Sequence, residues 1–200
     1  MRNLYLIRHG SPDFPKGIKL CIGRTNIDLG QAGMEECAGL RLFFQEKNIS
    51  NIYASPLIRA VHTGEIIADG KVSVVTHPDL MEIDMGCWEG LPLKSIKKEL
   101  GDEPFDGEKR VDALDRFEKA IKEILASTVG DVICVAHAGV NCAFVAKVMG
   151  AEIRTSRGIK QPCGCYNHFQ VDDNMNFKVI EFGVLPETGE NQGLKQRSEG

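Results

Sequence analysis

The sequence predicts an α/β fold: a three-layer α/β/α sandwich in which a mostly parallel, mixed sheet lies between two layers of helices. Three observations carry that expectation. Short apolar runs alternate along the chain with segments whose apolar residues recur at helical spacing. The run Asp131–Ala136 is apolar almost throughout, as a strand covered on both faces must be. Near the end, two apolar runs flank Asp172-Asp173-Asn174, a turn sequence that joins an antiparallel pair.

Taken in order, residues 3–7 form the first strand. Residues 10–30 are rich in Gly, Pro and Asp and form a long ordered loop, and loops of that length inside compact domains are usually functional. Cys37, Leu40, Phe43 and Phe44 share one face of a helix over 31–48. Ile49–Ala54 is the second strand. Pro56 is expected to open the next helix at its first position, where its missing N–H costs nothing, and Gly70 to end it after Asp69. The third strand covers 72–76. Gly86, Gly90 and Pro92 make 82–92 loop-like, and the polar stretch 101–110 is expected to lie exposed. Val111, Leu114, Phe117, Ile121, Ile124 and Leu125 form one apolar stripe of a helix, flanked by the i,i+4 pair Glu118 and Lys122 and stopped by Gly130. Asp131–Ala136 is the next strand, 139–149 a further helix, and Tyr166–Val171 with 177–182 the hairpin. No repeat or linker interrupts this order. Residues 1–185 are therefore expected to form one domain, followed by a loose tail at 186–200 whose only large apolar residue is Leu194.

Composition narrows the classes. A chain of 200 residues can bury roughly 70% of its unfolded surface, so no disulfide or metal staple is needed. A net charge of −4, from 24 Lys and Arg against 28 Asp and Glu, argues against a general nucleic-acid binder, which would carry a basic excess. No apolar run reaches the roughly 18 residues of a membrane span. The opening run is cut short by Arg8 and His9, unlike a signal peptide. Seven cysteines, an odd number scattered through apolar patterns, read as reduced thiols and suggest the cytoplasm.

In a sheet of this kind ligands bind beyond the carboxyl ends of the strands, so reactive residues should follow strands directly. Arg8-His9-Gly10 follows the first strand, and Ser55-Pro56-Leu57-Ile58-Arg59-Ala60 follows the second. Glu82 lies a few residues past the third, and His137-Ala138-Gly139 follows the strand that ends at Ala136. Taken singly, each is ordinary: an arginine is usually a solvated charge, and a histidine usually a satisfied core or surface residue. His62, His77 and His168 have no such placement and keep that ordinary reading. What sets the others apart is the coincidence, because Arg and His are rarely buried unless paired.

The chemistry suited to this set is phosphoryl transfer. A guanidinium fork matches phosphate oxygens, so Arg8, Arg59 and one histidine could clamp a phosphate monoester while the other histidine attacks phosphorus in line. A carboxylic acid would protonate the leaving oxygen and, as carboxylate, later activate water. This chemistry requires no metal, and the sequence has neither compact metal-ligand spacing nor a Walker motif; no cofactor is expected. Cys163-Gly164-Cys165 offers too few ligands for a zinc site and reads as the start of a strand. The expected partner is a small phosphorylated metabolite, with no nucleic acid and no membrane; a homodimer is left open.

Four segments carry a family resemblance. Leu6-Ile7-Arg8-His9-Gly10, the Ser55–Ala60 hexapeptide, Met81-Glu82-Ile83-Asp84-Met85-Gly86-Cys87-Trp88-Glu89-Gly90 and Val135-Ala136-His137-Ala138-Gly139 resemble, in order and spacing over residues 1–182, the signatures of the histidine phosphatase superfamily in its phosphoglycerate mutase-like branch. The resemblance implies a phosphoglycerate mutase-like sandwich in which His9 is the phosphorylated nucleophile. Arg8, Arg59 and His137 would complete the phosphate pocket, and Glu82 would be the proton donor. The chain departs from many relatives after Arg-His-Gly, where Ser11-Pro12-Asp13-Phe14-Pro15-Lys16 replaces a Glu-Thr and a later Asn. The mutases of the family carry an inserted segment after Trp-Glu-Gly, for which the stretch 101–110 leaves little room. The resemblance therefore implies a phosphatase, with phosphoglycerate mutase as the alternative and a non-catalytic phosphate-binding regulatory module as a third reading. Residues 21–29 resemble a loop of the α-ribazole phosphatase group, with Asn26 and Asp28 in place of the usual Asp and Pro. That likeness makes α-ribazole 5′-phosphate a lead, and Gly23, Thr25 and Ala138 join Arg8, Arg59 and His137 as expected substrate contacts.

Overall fold

The computed structural model describes residues 1–96 and 104–186. Their regular elements are, in chain order, β1 (Arg2–Arg8), α1 (Gln31–Phe44), β2 (Ile49–Ala54), α2 (Ile58–Ala68), β3 (Val74–Thr76), α3 (Arg110–Ser127), β4 (Asp131–Ala136), α4 (Ala138–Val148), β5 (Tyr166–Val171) and β6 (Phe177–Val184). The strands form a six-stranded sheet in the order β3-β2-β4-β1-β5-β6. β1, β2, β3 and β4 are parallel, β5 runs antiparallel to β1, and β6 antiparallel to β5. The α/β class and the mixed, mostly parallel sheet are as expected.

Side-chain alternation explains the three layers. Successive residues of a strand face opposite sides of the sheet. In β1, Leu4 and Leu6 pack with α3 and α4, whereas Tyr5 and Ile7 pack with α1 and α2. β4 divides the same way, with Val132, Cys134 and Ala136 on one side and Ile133 and Val135 on the other. All of these side chains are buried, which is why both parities of these central strands are apolar. On the α3 side, Phe117 meets Phe144 edge-on at 5.9 Å, and Phe144 meets Phe169 at 5.4 Å. Removing a ring from such a cluster costs about 3–5 kcal/mol.

Several expectations are corrected. Pro56 does not open α2: Leu57 is the N-cap in extended conformation, and the helix begins at Ile58. The Ile58 N–H is instead satisfied by Asn26 Oδ1 at 2.8 Å, reaching in from the long first loop. Val111 belongs to α3 but not to its buried stripe and is 46% exposed. It lies roughly 120° around the helix from Phe117, on the first turn. Within 104–110, Pro104 is buried although Phe105 is exposed, and Arg110 already belongs to α3. Residues 101–103 and nearly all of the expected tail, 187–200, lie outside the described residues. The hairpin loop is longer than the three residues expected. Asp172 Oδ1 accepts from the N–H groups of Asn174 and Asn176, and Met175 takes a left-handed conformation with φ 59°.

Candidate active site

Three parallel strands, β1, β2 and β4, finish at the same edge of the sheet, and the ladder runs one residue further. The His9 N–H donates to the Ala136 carbonyl at 3.1 Å, and the Ser55 N–H to Val135 at 2.9 Å. His137 follows Ala136 as the N-cap of α4. This register brings the His9 and His137 rings to 5.0 Å between centroids. Arg59 sits in the first turn of α2, and its side chain is fully buried. Its Nε donates to His9 Nε2 at 3.2 Å, Nη1 to the Thr25 carbonyl at 2.7 Å and Nη2 to the Gly23 carbonyl at 2.9 Å. Nη2 also lies 3.4 Å from His137 Nδ1. Arg8 is held by a hydrogen bond from Nη1 to the Gln161 carbonyl.

These contacts fix the tautomers. His9 Nδ1–H donates to the Gly10 carbonyl at 2.7 Å, leaving Nε2 with its lone pair. Arg59 donates to His137 Nδ1, so the proton of His137 resides on Nε2. Burial, then the Arg59 and Arg8 charges, hold His9 well below the ordinary histidine range. Burial, His9 and Arg59 do the same to His137. Both imidazoles are thus neutral near pH 7, His9 with a lone pair at Nε2 and His137 with an N–H there. Burial also brings Arg59 down to about 10, against the pull of Glu82 and Glu89, so it stays cationic. Two buried donors at this site, Arg8 Nε and His137 Nε2, have no hydrogen-bond partner among the described residues. Unsatisfied buried donors are costly and call for an acceptor.

Glu82 is buried and lines the same cavity as Arg8 and His9. Its carboxylate accepts from Gly139 N at 2.8 Å, Val140 N at 3.1 Å and Ile83 N at 2.9 Å, the first two at the N-terminus of α4. Gly139 makes this approach feasible, since a Cβ there would lie 2.5 Å from Glu82 Oε1. A cavity of about 620 Å³ is lined by Arg8, His9, Glu82 and Ala138, with Ser11, Lys19 and Glu36 toward the long loop. A second cavity of about 460 Å³ shares Cys21, Met85, Leu93 and Ala138 with it and continues among Ile83, Trp88, Ile96, Pro104, Cys142 and Ile159.

Of the residues expected from sequence, Arg8, His9, Arg59, Glu82, His137 and Ala138 meet here. Gly23 and Thr25 are close by but face inward: their carbonyls hold Arg59, and their N–H groups go to Glu89. His62 pairs with Asp28, His77 accepts from the Asp79 N–H, and His168 stacks on Tyr5; none lines the catalytic cavity. Cys163 and Cys165 are free, and Cys165 directly precedes β5 as expected. Sequence reasoning missed Gln161, Glu36 and the apolar lining of the second cavity. Gln161 acts through a main-chain carbonyl, which leaves no mark in the sequence.

A neutral buried imidazole flanked by two guanidiniums, with a carboxyl on the same cavity, defines a class of protein that handles phosphate monoesters. Comparison with known proteins agrees: the family model described as histidine phosphatase superfamily (branch 1) matches residues 4–181. The chain belongs to that superfamily, and the enzyme class is phosphatase. It is 33% identical over 143 residues, 68% of this chain and 71% of the other, to the 2,3-bisphosphoglycerate-dependent phosphoglycerate mutase of Thermoplasma acidophilum. It is 28% identical over 155 residues, 76% and 80% of the two chains, to an uncharacterized phosphatase, PhoE, of Bacillus subtilis. In fold it resembles the crystal structure of a candidate α-ribazole-5′-phosphate phosphatase of Escherichia coli, with TM-score 0.78, 21% identity and 92% and 99% of the chains covered.

Proposed function

We propose that the protein is a metal-independent phosphatase that hydrolyses a small phosphate monoester through a phosphohistidine on His9. The observation that carries this reading is the pair of buried donors without a partner among the described residues, Arg8 Nε and His137 Nε2, one on the residue before His9 and one on the ring 5.0 Å from it. A phosphate would accept from both, and Arg59 would turn its Nε–H from His9 to a phosphate oxygen. His9 Nε2 then forms the N–P bond as the P–O bond to the leaving group breaks, and Glu82 gives its proton to the departing oxygen. In the second half, water forms a P–O bond as the N–P bond breaks, and Glu82 takes the proton. Arg8 and Arg59 offset the phosphate charge in both halves, the task a metal ion performs elsewhere, and the neutral His137 donates a hydrogen bond to it.

The lining of the second cavity bears on substrate. A leaving group that extends past Ala138 would meet Ile83, Met85, Trp88 and Ile159, a setting that suits a flat apolar group, with Arg110 and Arg157 on the same lining for a polar or anionic end. The apolar part of that lining supports an alkyl ester that carries an aromatic base, such as α-ribazole 5′-phosphate. The mutase reading keeps its place through the Thermoplasma relative. A panel containing α-ribazole 5′-phosphate, 3-phosphoglycerate and sugar phosphates, read by free phosphate after exhaustive chelation, tests the proposal. The expected result is primer-free phosphate release. Interconversion of 2- and 3-phosphoglycerate with negligible phosphate release would establish the mutase instead, and activity restored only by a divalent ion would overturn metal independence.

A further inference from the structure

We propose that Glu89 is a positioning residue for the phosphate clamp: its carboxylate fixes the 23–25 loop, whose carbonyls fix Arg59 against His9 and His137. The kinetic part of this inference rests on the phosphatase reading; the geometric part does not. Glu89 Oε1 accepts from Arg24 N at 2.7 Å and Met85 N at 3.2 Å. Oε2 accepts from Gly23 N at 3.2 Å, Thr25 N at 3.1 Å and the Thr25 hydroxyl. Three successive backbone N–H groups thus converge on one anion, the arrangement of an anion-binding nest with a side chain as its occupant.

The consequence for Arg59 follows from peptide geometry. The Gly23 carbonyl and the Arg24 N–H belong to one trans peptide plane and point in opposite directions. Pulling the Arg24 N–H onto Glu89 turns the Gly23 carbonyl the other way, where it accepts from Arg59 Nη2 at 2.9 Å. Thr25, anchored through both its N–H and its hydroxyl, presents its carbonyl to Nη1 at 2.7 Å. Two carbonyls on two guanidinium nitrogens set the plane of the fork, and hence where Nε meets His9. The seat is tightly built, since a Cβ on Gly23 would lie 2.2 Å from the Ile83 carbonyl and 2.5 Å from Glu89 Oε1.

The same contacts separate Glu89 from the proton-donor role. Burial opposes its ionisation, but the Thr25 hydroxyl and the N–H groups of Arg24, Met85 and Thr25 outweigh it and hold the carboxyl below its ordinary range. Held in its ionised form by these contacts, Glu89 has no proton to give near pH 7.

Glu89→Gln keeps the shape but sets an NH₂ against at least two of those N–H groups, whichever way the amide turns. The groups that face His9 are Arg8 from β1, Arg59 from α2 and His137 ahead of α4, with Glu82, Glu36 and Cys163 along the cavity wall. Of these, Arg59 is the one released when the loop turns. The test follows His9 by NMR titration and turnover on p-nitrophenyl phosphate, in wild type, Glu89→Gln and Thr25→Val, with thermal melts as folding controls. In folded Glu89→Gln the His9 midpoint should move up toward the ordinary value, and kcat should fall roughly 10- to 100-fold, as when a positioning group is displaced. Thr25→Val removes one donor of the five and should move both readouts the same way by less. A purely structural role would lower the melting temperature and leave the His9 midpoint in place. That result in folded Glu89→Gln overturns the proposal, as does an unmoved midpoint in Thr25→Val if Glu89→Gln does not fold. Wild-type enzyme with no phosphatase activity would sink the phosphatase reading alone, since the titration still reports on Arg59.

Discussion

The two connected cavities are built by opposite means. The floor around His9 is assembled from the ends of β1, β2 and β4, three strands locked in register, and its polar side chains are His9, Arg59, Glu82 and His137, all buried, with the half-buried Arg8. The neighbouring cavity is walled largely by side chains from short turns and loops, among them Ile83, Trp88, Ile96, Pro104 and Ile159, with Arg110 of α3 and Cys142 of α4, and its lining is largely apolar. A strand end positions a side chain through the ladder behind it; a turn positions one only through what it packs against. On the proposed mechanism the floor is where the reaction is determined, and the wall is where substrates are distinguished.

The deepest cut into that contrast is His9→Ala. Removing the nucleophile should cost about 10³-fold or more in turnover, with the fold intact. Acid-quenched wild-type enzyme should carry an acid-labile, base-stable phosphoryl label on the His9 peptide. Label on a serine or aspartate peptide would move the chemistry off the floor altogether.

Glu82→Gln comes next and is read within one variant. The general acid matters for a poor leaving group such as an alkoxide and hardly at all for a phenolate. In single-turnover phosphorylation of His9, the variant should lose roughly 10²-fold or more on an alkyl phosphate and far less on p-nitrophenyl phosphate. Because both rates come from the same protein, any disturbance of the three N–H contacts at Glu82 cancels. Equal losses would remove Glu82 as the donor and leave Asp84 as the next carboxyl to examine.

The wall should respond differently. Trp88→Ala enlarges the apolar cavity without touching the floor, so it should shift the ratio of kcat/KM between aromatic and small aliphatic esters by roughly tenfold, the scale of an apolar pocket contact. The rate on small esters should hardly change. A uniform loss across substrates would mean that the wall contributes to the chemistry after all.

The same contrast explains which residues are legible in the sequence and which are not. His9, Arg59 and His137 can be found because each follows an apolar run, and parallel strands bring such positions to one edge. The long first loop is recognisable as functional, but its part is hidden: Gly23 and Thr25 act through main-chain carbonyls and Asn26 by capping α2, so residue type says little about role. Pro56 misleads because a proline ahead of a helix fits N1 as well as the position before an extended N-cap that it takes here. Ile83, Met85, Trp88, Leu93 and Ile96 follow neither a 2.0 nor a 3.6 period, and irregular spacing cannot show which cavity they line.

The smallest expected effect concerns pH. An ordinary histidine, with a pKa near 6.5, would lose about three-quarters of its neutral form by pH 6.0, so a floor built on one would lose roughly fourfold in kcat/KM between pH 7.5 and 6.0. His9 is held well below that value by burial, Arg59 and Arg8, so its acid limb should begin lower and the change over this interval should stay within about twofold. The substrate's own second ionisation, near pH 6, falls in the same window. The profile must therefore be taken with two esters whose second ionisations differ; a limb that moves with the ester belongs to the substrate. Stability should behave in the opposite sense. His9 and His137 bind protons less readily folded than unfolded, so below pH 6.5 the unfolded state takes them up first. Their contribution is complete above 6.5 and drains away as the pH falls toward the folded values. The melting temperature should thus decline across an interval where kcat/KM is nearly flat. A limb near 6.5 common to both esters would mean that the floor is wetter than its burial indicates, and the sharp division between floor and wall would be lost.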